Sequence, residues 1–192
     1  MSRQSRLPLF LASRSPQRKA ILEQLGIPFE TRPQNVDELT SGEDPEWVVL
    51  ENARRKARAA ATSAAGLVLG VDTEVLIDGE LLGKAETMDE ARRFLERLSG
   101  RTHTVLGGLS LVEGESERCG VAATQVTFRT ISAAFADWFL ATGEWRERAG
   151  AYAIQGPGAA LVERIEGDYW NVVGLPVPLL LDLAPELLTF HS

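Results

Sequence analysis

The sequence predicts an α/β protein whose sheet mixes parallel and antiparallel strands. Two observations predict it. Short apolar runs with strand character alternate with segments of helical periodicity, the order that lays helices against a sheet. Hairpin signals sit among those units, above all Asp78-Gly79 and the two long strand-like runs at 103–112 and 121–131, and hairpins make antiparallel neighbours. A simple doubly wound parallel sheet fits this pattern less well.

The elements follow in chain order. The first four or five residues are polar and expected to be loose. Leu9-Phe10-Leu11 is a short buried strand. Ser15 is a good N-cap, and Pro16 at the first helical position needs no partner for a missing N–H, so a helix begins there with Ala20, Ile21, Leu22 and Leu25 facing inward. Phe29 to Arg32 extends again, and Asn35-Val36-Asp37-Glu38 is a polar loop. Asp44-Pro45-Glu46 opens a second helix whose apolar stripe is Trp47, Leu50, Ala53, Ala57 and Ala60, with Gly66 as its stop. Leu67 to Val71 is a buried strand with Asp72 at its end, and Val75-Leu76-Ile77 runs extended into the Asp78-Gly79 turn. Thr87 and Glu90 form a capping box for a helix carrying Met88, Ala91, Leu95 and Leu98, which Gly100 stops. His103 to Val112 and Val121 to Ile131 are long strands, and Ser132 caps a helix with Phe135, Trp138 and Phe139. Ala151 to Ile154 and Ala159 to Ile165 are short strands around a Gly-Pro-Gly loop. The apolar tail from Leu175 to Phe190 is helical, with Pro178 near its start and Pro185 bending or splitting it.

A chain of 192 residues buries a substantial core in one domain or in two tightly joined lobes. Hydrophobic residues at 44% and charged residues at 24% are ordinary for a globular protein. A net charge of −7 argues against a nucleic-acid backbone as partner, which needs a basic face. It leaves room for a polyanionic small molecule met by local cations or a metal. With no signal-peptide pattern and no apolar run long enough to cross a bilayer, a cytoplasmic location is expected and a membrane partner is not. The single cysteine, Cys119, forms no internal disulfide, and no Cys/His spacing suggests structural zinc.

Several residues could carry chemistry. The segment from Ser13 to Lys19 joins a strand to a helix N-terminus with Ser13, Ser15, Arg14, Arg18 and Lys19 close by. Free amides, hydroxyls and cations suit an anion site, with phosphate as the expected anion; an ordinary capped turn with surface charges shares the pattern. Asp72, at the end of a buried strand, could ligate Mg²⁺ or orient a water as a base; the plain alternative is a turn aspartate. Asp37 and Glu38 could add metal oxygens, and Lys56 and Lys84 could neutralise phosphate charge. Residues 79–85 imitate a P-loop, but Asp78 stands where the first glycine belongs and Ala85 replaces the Ser/Thr, so that reading fails. Gly156-Pro157-Gly158 is likewise no dinucleotide fingerprint; at its edge Gln155 has both donor and acceptor and could read a base. His103 more naturally orders a strand start, and His191 does not pair with it. No serine–histidine–acid set is visible. Carboxylates, cations and a metal suit attack of water on a phosphate.

In register, Leu-Ala-Ser-x-Ser-Pro-x-Arg, Val-Asp-Glu, Lys-Ala, Gly-Val-Asp-Thr, Gly-Lys, Ser-Gly-Arg-Thr-His, Ala-Gly-Ala-Tyr-x-Ile-Gln-Gly-x-Gly-Ala and Gly-Asp-Tyr-x-Asn-Val-Val-Gly-Leu-Pro resemble the Maf proteins from about residue 9 to about residue 183. The resemblance implies a cytoplasmic nucleoside triphosphate pyrophosphatase that cleaves between the α- and β-phosphates. It implies a divalent metal, Mg²⁺ or Mn²⁺. It also implies a single Maf-like domain over 1–192, two-lobed with the active-site cleft between the lobes, as in the inosine-triphosphate pyrophosphatases. The family's general base falls on Asp72, and its other catalytic and metal-site positions on Ser13, Arg18, Glu38, Lys56 and Lys84, with Glu38 and Asp72 toward the metal. Three positions associated with substrate choice fall on Gln17, Thr73 and Gln155. Thr73 and Gln155 look like the branch acting on dTTP and UTP, with CTP or modified pyrimidine nucleotides as further substrates. Gln17 departs from that branch, which usually has arginine, and from the 7-methyl-GTP branch, which usually has tryptophan. Ala85 stands where the family usually has proline. The 7-methyl-GTP activity and a non-catalytic nucleotide-binding regulator of cell division are the alternatives; a phosphotransferase would need a signature that is absent. Homodimers are common among such relatives.

Overall fold

The computed structural model describes residues 8–62 and 64–188. The chain runs through β1 (Leu9–Leu11), α1 (Pro16–Gln24), β2 (Phe29–Thr31), α2 (Pro45–Ala61), β3 (Leu67–Ile77), β4 (Glu80–Leu82), α3 (Met88–Leu98), β5 (Thr102–Glu113), β6 (Ser116–Phe128), α4 (Ala133–Ala141), β7 (Val162–Glu166), α5 (Tyr169–Val173) and α6 (Val177–Leu183). One mixed sheet results, ordered β2-β1-β3-β5-β6-β7, with β4 on β3 outside that path. β1 is parallel to both β2 and β3. All other pairings are antiparallel, as the hairpin signals require.

The helix starts follow the capping residues. Ser15, Asp44, Thr87 and Ser132 accept from first-turn amides of α1, α2, α3 and α4. At α3 the return bond of the capping box goes one residue early, from the Glu86 amide to Glu90 Oε2 at 2.8 Å. Helix α2 lies directly on the sheet. Gly70 of β3 meets the backbone of Ala53 and Ala57, and Gly108 of β5 meets that of Val49 and Leu50. A Cβ at either glycine would press into a helix carbonyl oxygen. Two large apolar clusters, neither containing an α2 residue, build most of the remaining core. One joins β3–β6 to α3, α4, Trp145 and Tyr152. The other joins β1, α1 and α6 to the opposite half of β3 and β5. Among the described residues no helix is long and apolar enough to cross a membrane.

Several boundaries differ from the sequence reading. Asp72 does not end a strand: β3 continues unbroken to Ile77 because β5 pairs with it as far as Leu76↔Thr104. Strand β6 starts at Ser116, since Gly114-Glu115 turns the hairpin with Gly114 at φ 57°. Helix α2 ends at Ala61, ahead of Gly66. Residues 151–154 are not a strand; Ala151 takes φ 59°, which breaks extension. Gly156–Leu161 is a 3-10 turn, so the strand there begins only at Val162. Helix α5 is an element that the sequence pattern does not predict; Asp168 caps it by accepting from the Trp170 amide at 2.8 Å. The tail splits at Pro185 as expected. The loose N-terminus, Phe190 and His191 lie outside the described residues.

Candidate active site

Parallel pairing between β1 and β3 stops at Leu11↔Leu69. Past that point β3 loses its parallel neighbour, and one flank opens into a cavity of about 740 Å³. The opening lies at the carboxyl end of the parallel strands, where open α/β sheets bind ligands. Ser13, Ser15, Gln17, Arg18, Glu38, Lys56, Asp72, Thr73, Lys84 and Gln155 all line this one cavity.

Its acidic centre is built by β3 and α2. Asp72 is only 3% exposed. Asn52 and Lys56 stand four residues apart on α2, hence on one helix face. Lys56 Nζ donates to Asp72 Oδ1 at 2.6 Å and pairs with Glu38 Oε1 at 3.0 Å. Asn52 Nδ2 donates to Asp72 Oδ2 at 3.1 Å. The same amide exchanges two bonds with the Leu39 backbone, at 2.8 and 2.9 Å, and so fixes the loop that carries Glu38. Asp37 offers its backbone carbonyl to Arg55 and does not line the cavity.

Glu74 follows Asp72 by two positions, the repeat of one strand face. Its Oε2 is buried and, among the described residues, has no hydrogen-bond partner. Burial, and then the negative charge of Asp72, push this carboxyl up to about 8. Neither Asn52 nor Glu74 figures in the sequence-derived set. The 52/56 helix spacing and the 72/74 strand alternation were the available signals. The donor chemistry fits a hard divalent cation: two carboxylates share one ammonium, and an orphaned carboxylate oxygen lies beside them. Among the described residues no three acidic, imidazole or thiol side chains gather into a cage. Water and phosphate oxygens would complete the shell, as is usual for Mg²⁺.

Arg18 ties three segments together. Its Nε donates to Gly174 O at 2.9 Å, Nη1 to Ser13 Oγ at 3.0 Å and Nη2 to Thr73 Oγ1 at 3.1 Å. Burial lowers its pKa, against the raising influence of Asp72. Ser15 both caps α1 and donates to Gln17 Oε1 at 3.2 Å. On another wall, Lys84 forms an isolated bridge with Ala149, and its Nζ pairs with Glu147 Oε2 at 3.2 Å. Tyr152 also lines the cavity, its hydroxyl 2.7 Å from His103 Nε2. His103 is buried on β5, in keeping with a structural role. Gln155 is exposed at the start of the 3-10 turn, with no side-chain capping bond.

Known proteins are similar to this sequence. The family profile for Maf-like protein matches residues 8–187. A dTTP/UTP pyrophosphatase of Symbiobacterium thermophilum is 47% identical over 171 residues, 88% of this chain and 88% of its own length. One from Thermococcus onnurineus is 44% identical over 175 residues, covering 91% of this chain and 95% of that protein. A solved HAM1 protein from Coxiella burnetii overlaps 64% of this chain and 73% of its own, with 21% identity and a TM-score of 0.48. Because the profile spans β1 through the 3-10 turn after α6, with identity above 40% over most of the length, the chain belongs to the Maf family.

Proposed function

We propose that this protein is a nucleoside triphosphate pyrophosphatase acting on dTTP and UTP, and releasing nucleoside monophosphate and pyrophosphate. The observation that carries the reading is the Asp72–Lys56–Glu38 chain inside a cavity that also holds Arg18, Lys84, Thr73 and Gln155. The relatives named dTTP/UTP pyrophosphatase support the same substrate class. The protein works as one unit in the cytoplasm, on free nucleotide and not on nucleic acid or membrane, with a homodimer as its assembly.

In this reading Asp72 orients the attacking water and accepts its proton, a role served by a carboxylate held by two hydrogen bonds. Water oxygen bonds to the α-phosphorus; the bond to the bridging oxygen breaks, and its electron pair leaves with pyrophosphate. Lys56 and Lys84 stabilise the charge that moves to the leaving group. Ser13, Ser15 and the α1 N-terminus hold phosphate oxygens, while Arg18 fixes Ser13 and Thr73 in place. Gln17, Thr73 and Gln155 face the nucleoside, where Gln155 pairs with the carbonyl and ring N–H of uracil or thymine. Glu38 and Asp72 would hold Mg²⁺ or Mn²⁺, which when bound neutralises phosphate charge.

Pyrophosphate release from a panel of dTTP, UTP, CTP and 7-methyl-GTP tests the assignment. Turnover of dTTP and UTP is expected. Preference for 7-methyl-GTP would move the protein to the other branch, and nucleotide binding without pyrophosphate release would make it a regulator.

A further inference from the structure

Arg148 lines the same cavity, yet its Nε is buried with no hydrogen-bond partner. The other cations on the wall are committed. Lys56 and Lys84 hold carboxylates, Arg18 has three acceptors, Arg14 donates to Asn35 and Arg146 stacks on Trp145. Among the described residues, the Arg148 guanidinium has neither an ion pair nor a side-chain hydrogen bond. A buried donor left unpaired is costly, and a native site that keeps one signals a missing acceptor.

The backbone around Arg148 is fixed and strained. Ala149 bridges Lys84, and the Gly150 amide donates to Leu82 O at 2.8 Å and Gly83 O at 3.0 Å. A Cβ on Gly150 would stand 2.7 Å from Val75 Cγ2, so this stitch is tight. On either side Glu147 and Ala151 adopt φ 58° and 59°, where side-chain-bearing residues are rarely found. The fold thus holds a rigid segment in an unfavourable conformation and sets an unpaired guanidinium on the cavity wall, one residue from the bridge to Lys84. A planar guanidinium fork matches phosphate oxygens in pairs.

We propose that Arg148 is a further substrate-binding residue, which with Lys84 grips the part of the triphosphate that leaves as pyrophosphate. The proposal rests on the pyrophosphatase reading above. The exposed Glu147 carboxylate that now pairs with Lys84 is a weak competitor and yields to phosphate. Because the leaving pyrophosphate keeps this contact and the monophosphate does not, the two products separate its role from a structural one.

The test compares wild type with Arg148→Ala and Arg148→Gln, each checked for folding by thermal unfolding. Binding of inorganic pyrophosphate and of UMP is measured separately by calorimetry, together with steady-state kinetics on UTP. Loss of a charged hydrogen bond should weaken pyrophosphate binding about 10- to 100-fold and raise KM for UTP, with UMP affinity within about twofold of wild type. Unchanged pyrophosphate affinity in either folded variant overturns the proposal, as does an equal loss for UMP and pyrophosphate. A wild-type protein that releases no pyrophosphate from UTP overturns the underlying assignment instead, before any variant is made.

Discussion

Lys56 donates to Asp72 across 2.6 Å, and the separation is set by a helix resting on sheet backbone. The ammonium is also 3.0 Å from Glu38, so one cation organises two carboxylates of opposite provenance, one from a strand and one from a loop. This arrangement dictates how the site should respond to change.

Asp72→Asn keeps the shape of the side chain and removes the charge. The variant is expected to fold and to lose hydrolysis by at least ~10²-fold, the typical weight of a general base. Pyrophosphate release alongside thermal unfolding measures both. Near-normal turnover would remove Asp72 from the chemistry.

Asn52 is fully buried and serves both Asp72 and the Leu39 backbone. Asn52→Ala leaves the Leu39 N–H and carbonyl unpaired, at a cost of about 1–3 kcal/mol in urea unfolding. Turnover should fall as well, because the loop bearing Glu38 loses its anchor. A variant as stable and as active as wild type would show that the loop is held by other means.

Gly70→Ala drives a methyl group into the Ala53 carbonyl. Overpacking of this kind costs about 1–3 kcal/mol. Because α2 carries Asn52 and Lys56, kcat should drop even where the protein remains folded. An unaltered midpoint of thermal unfolding would contradict the close approach.

Burial pulls the His103 imidazole down from 6.5 to about 4. As pH falls, the unfolded chain takes up the proton first, so acid favours unfolding. The stability contributed by neutral His103 is complete above about pH 6.5 and declines toward pH 4, by about 3 kcal/mol at that point. In His103→Gln this part of the pH dependence should vanish from denaturation curves recorded between pH 4 and 7. An identical slope in the two proteins would place the titration elsewhere.

Gln155→Glu exchanges a donor-and-acceptor amide for a carboxylate that only accepts. Selection of uracil and thymine over other bases should weaken, read as kcat/KM ratios across triphosphates. Constant ratios would mean that Gln155 does not read the base.

Much of this was legible in the sequence. The caps at Ser15, Asp44, Thr87 and Ser132 named four helix starts because capping is local chemistry. Ser13, Ser15, Gln17, Arg18, Glu38, Lys56, Asp72, Thr73, Lys84 and Gln155 border one cavity, whereas Asp37, singled out beside Glu38, does not. What escaped was set by tertiary pairing. Asp72 lies inside a strand because β5 continues beside it, which no local pattern encodes. Asn52 lies on a helix face that also reads as plain core, and Glu74, between Thr73 and Val75, belongs to no local motif that marks it. The loop around Ala151 departs from extension through a positive φ at a residue that is not glycine. Propensity argues against that conformation; the bond from the Ala151 amide to Arg148 O, the burial of Ala151 and the stitch of Gly150 to Leu82 and Gly83 hold it.

Arg18 Nε reaches the carbonyl of Gly174, 156 residues further along the chain. A nascent polypeptide still short of that glycine therefore lacks one of the three acceptors that steady the guanidinium. Translation must pass residue 174 before this third anchor exists, so the posture of Arg18 is a product of long-range closure and not of the 13–18 segment alone.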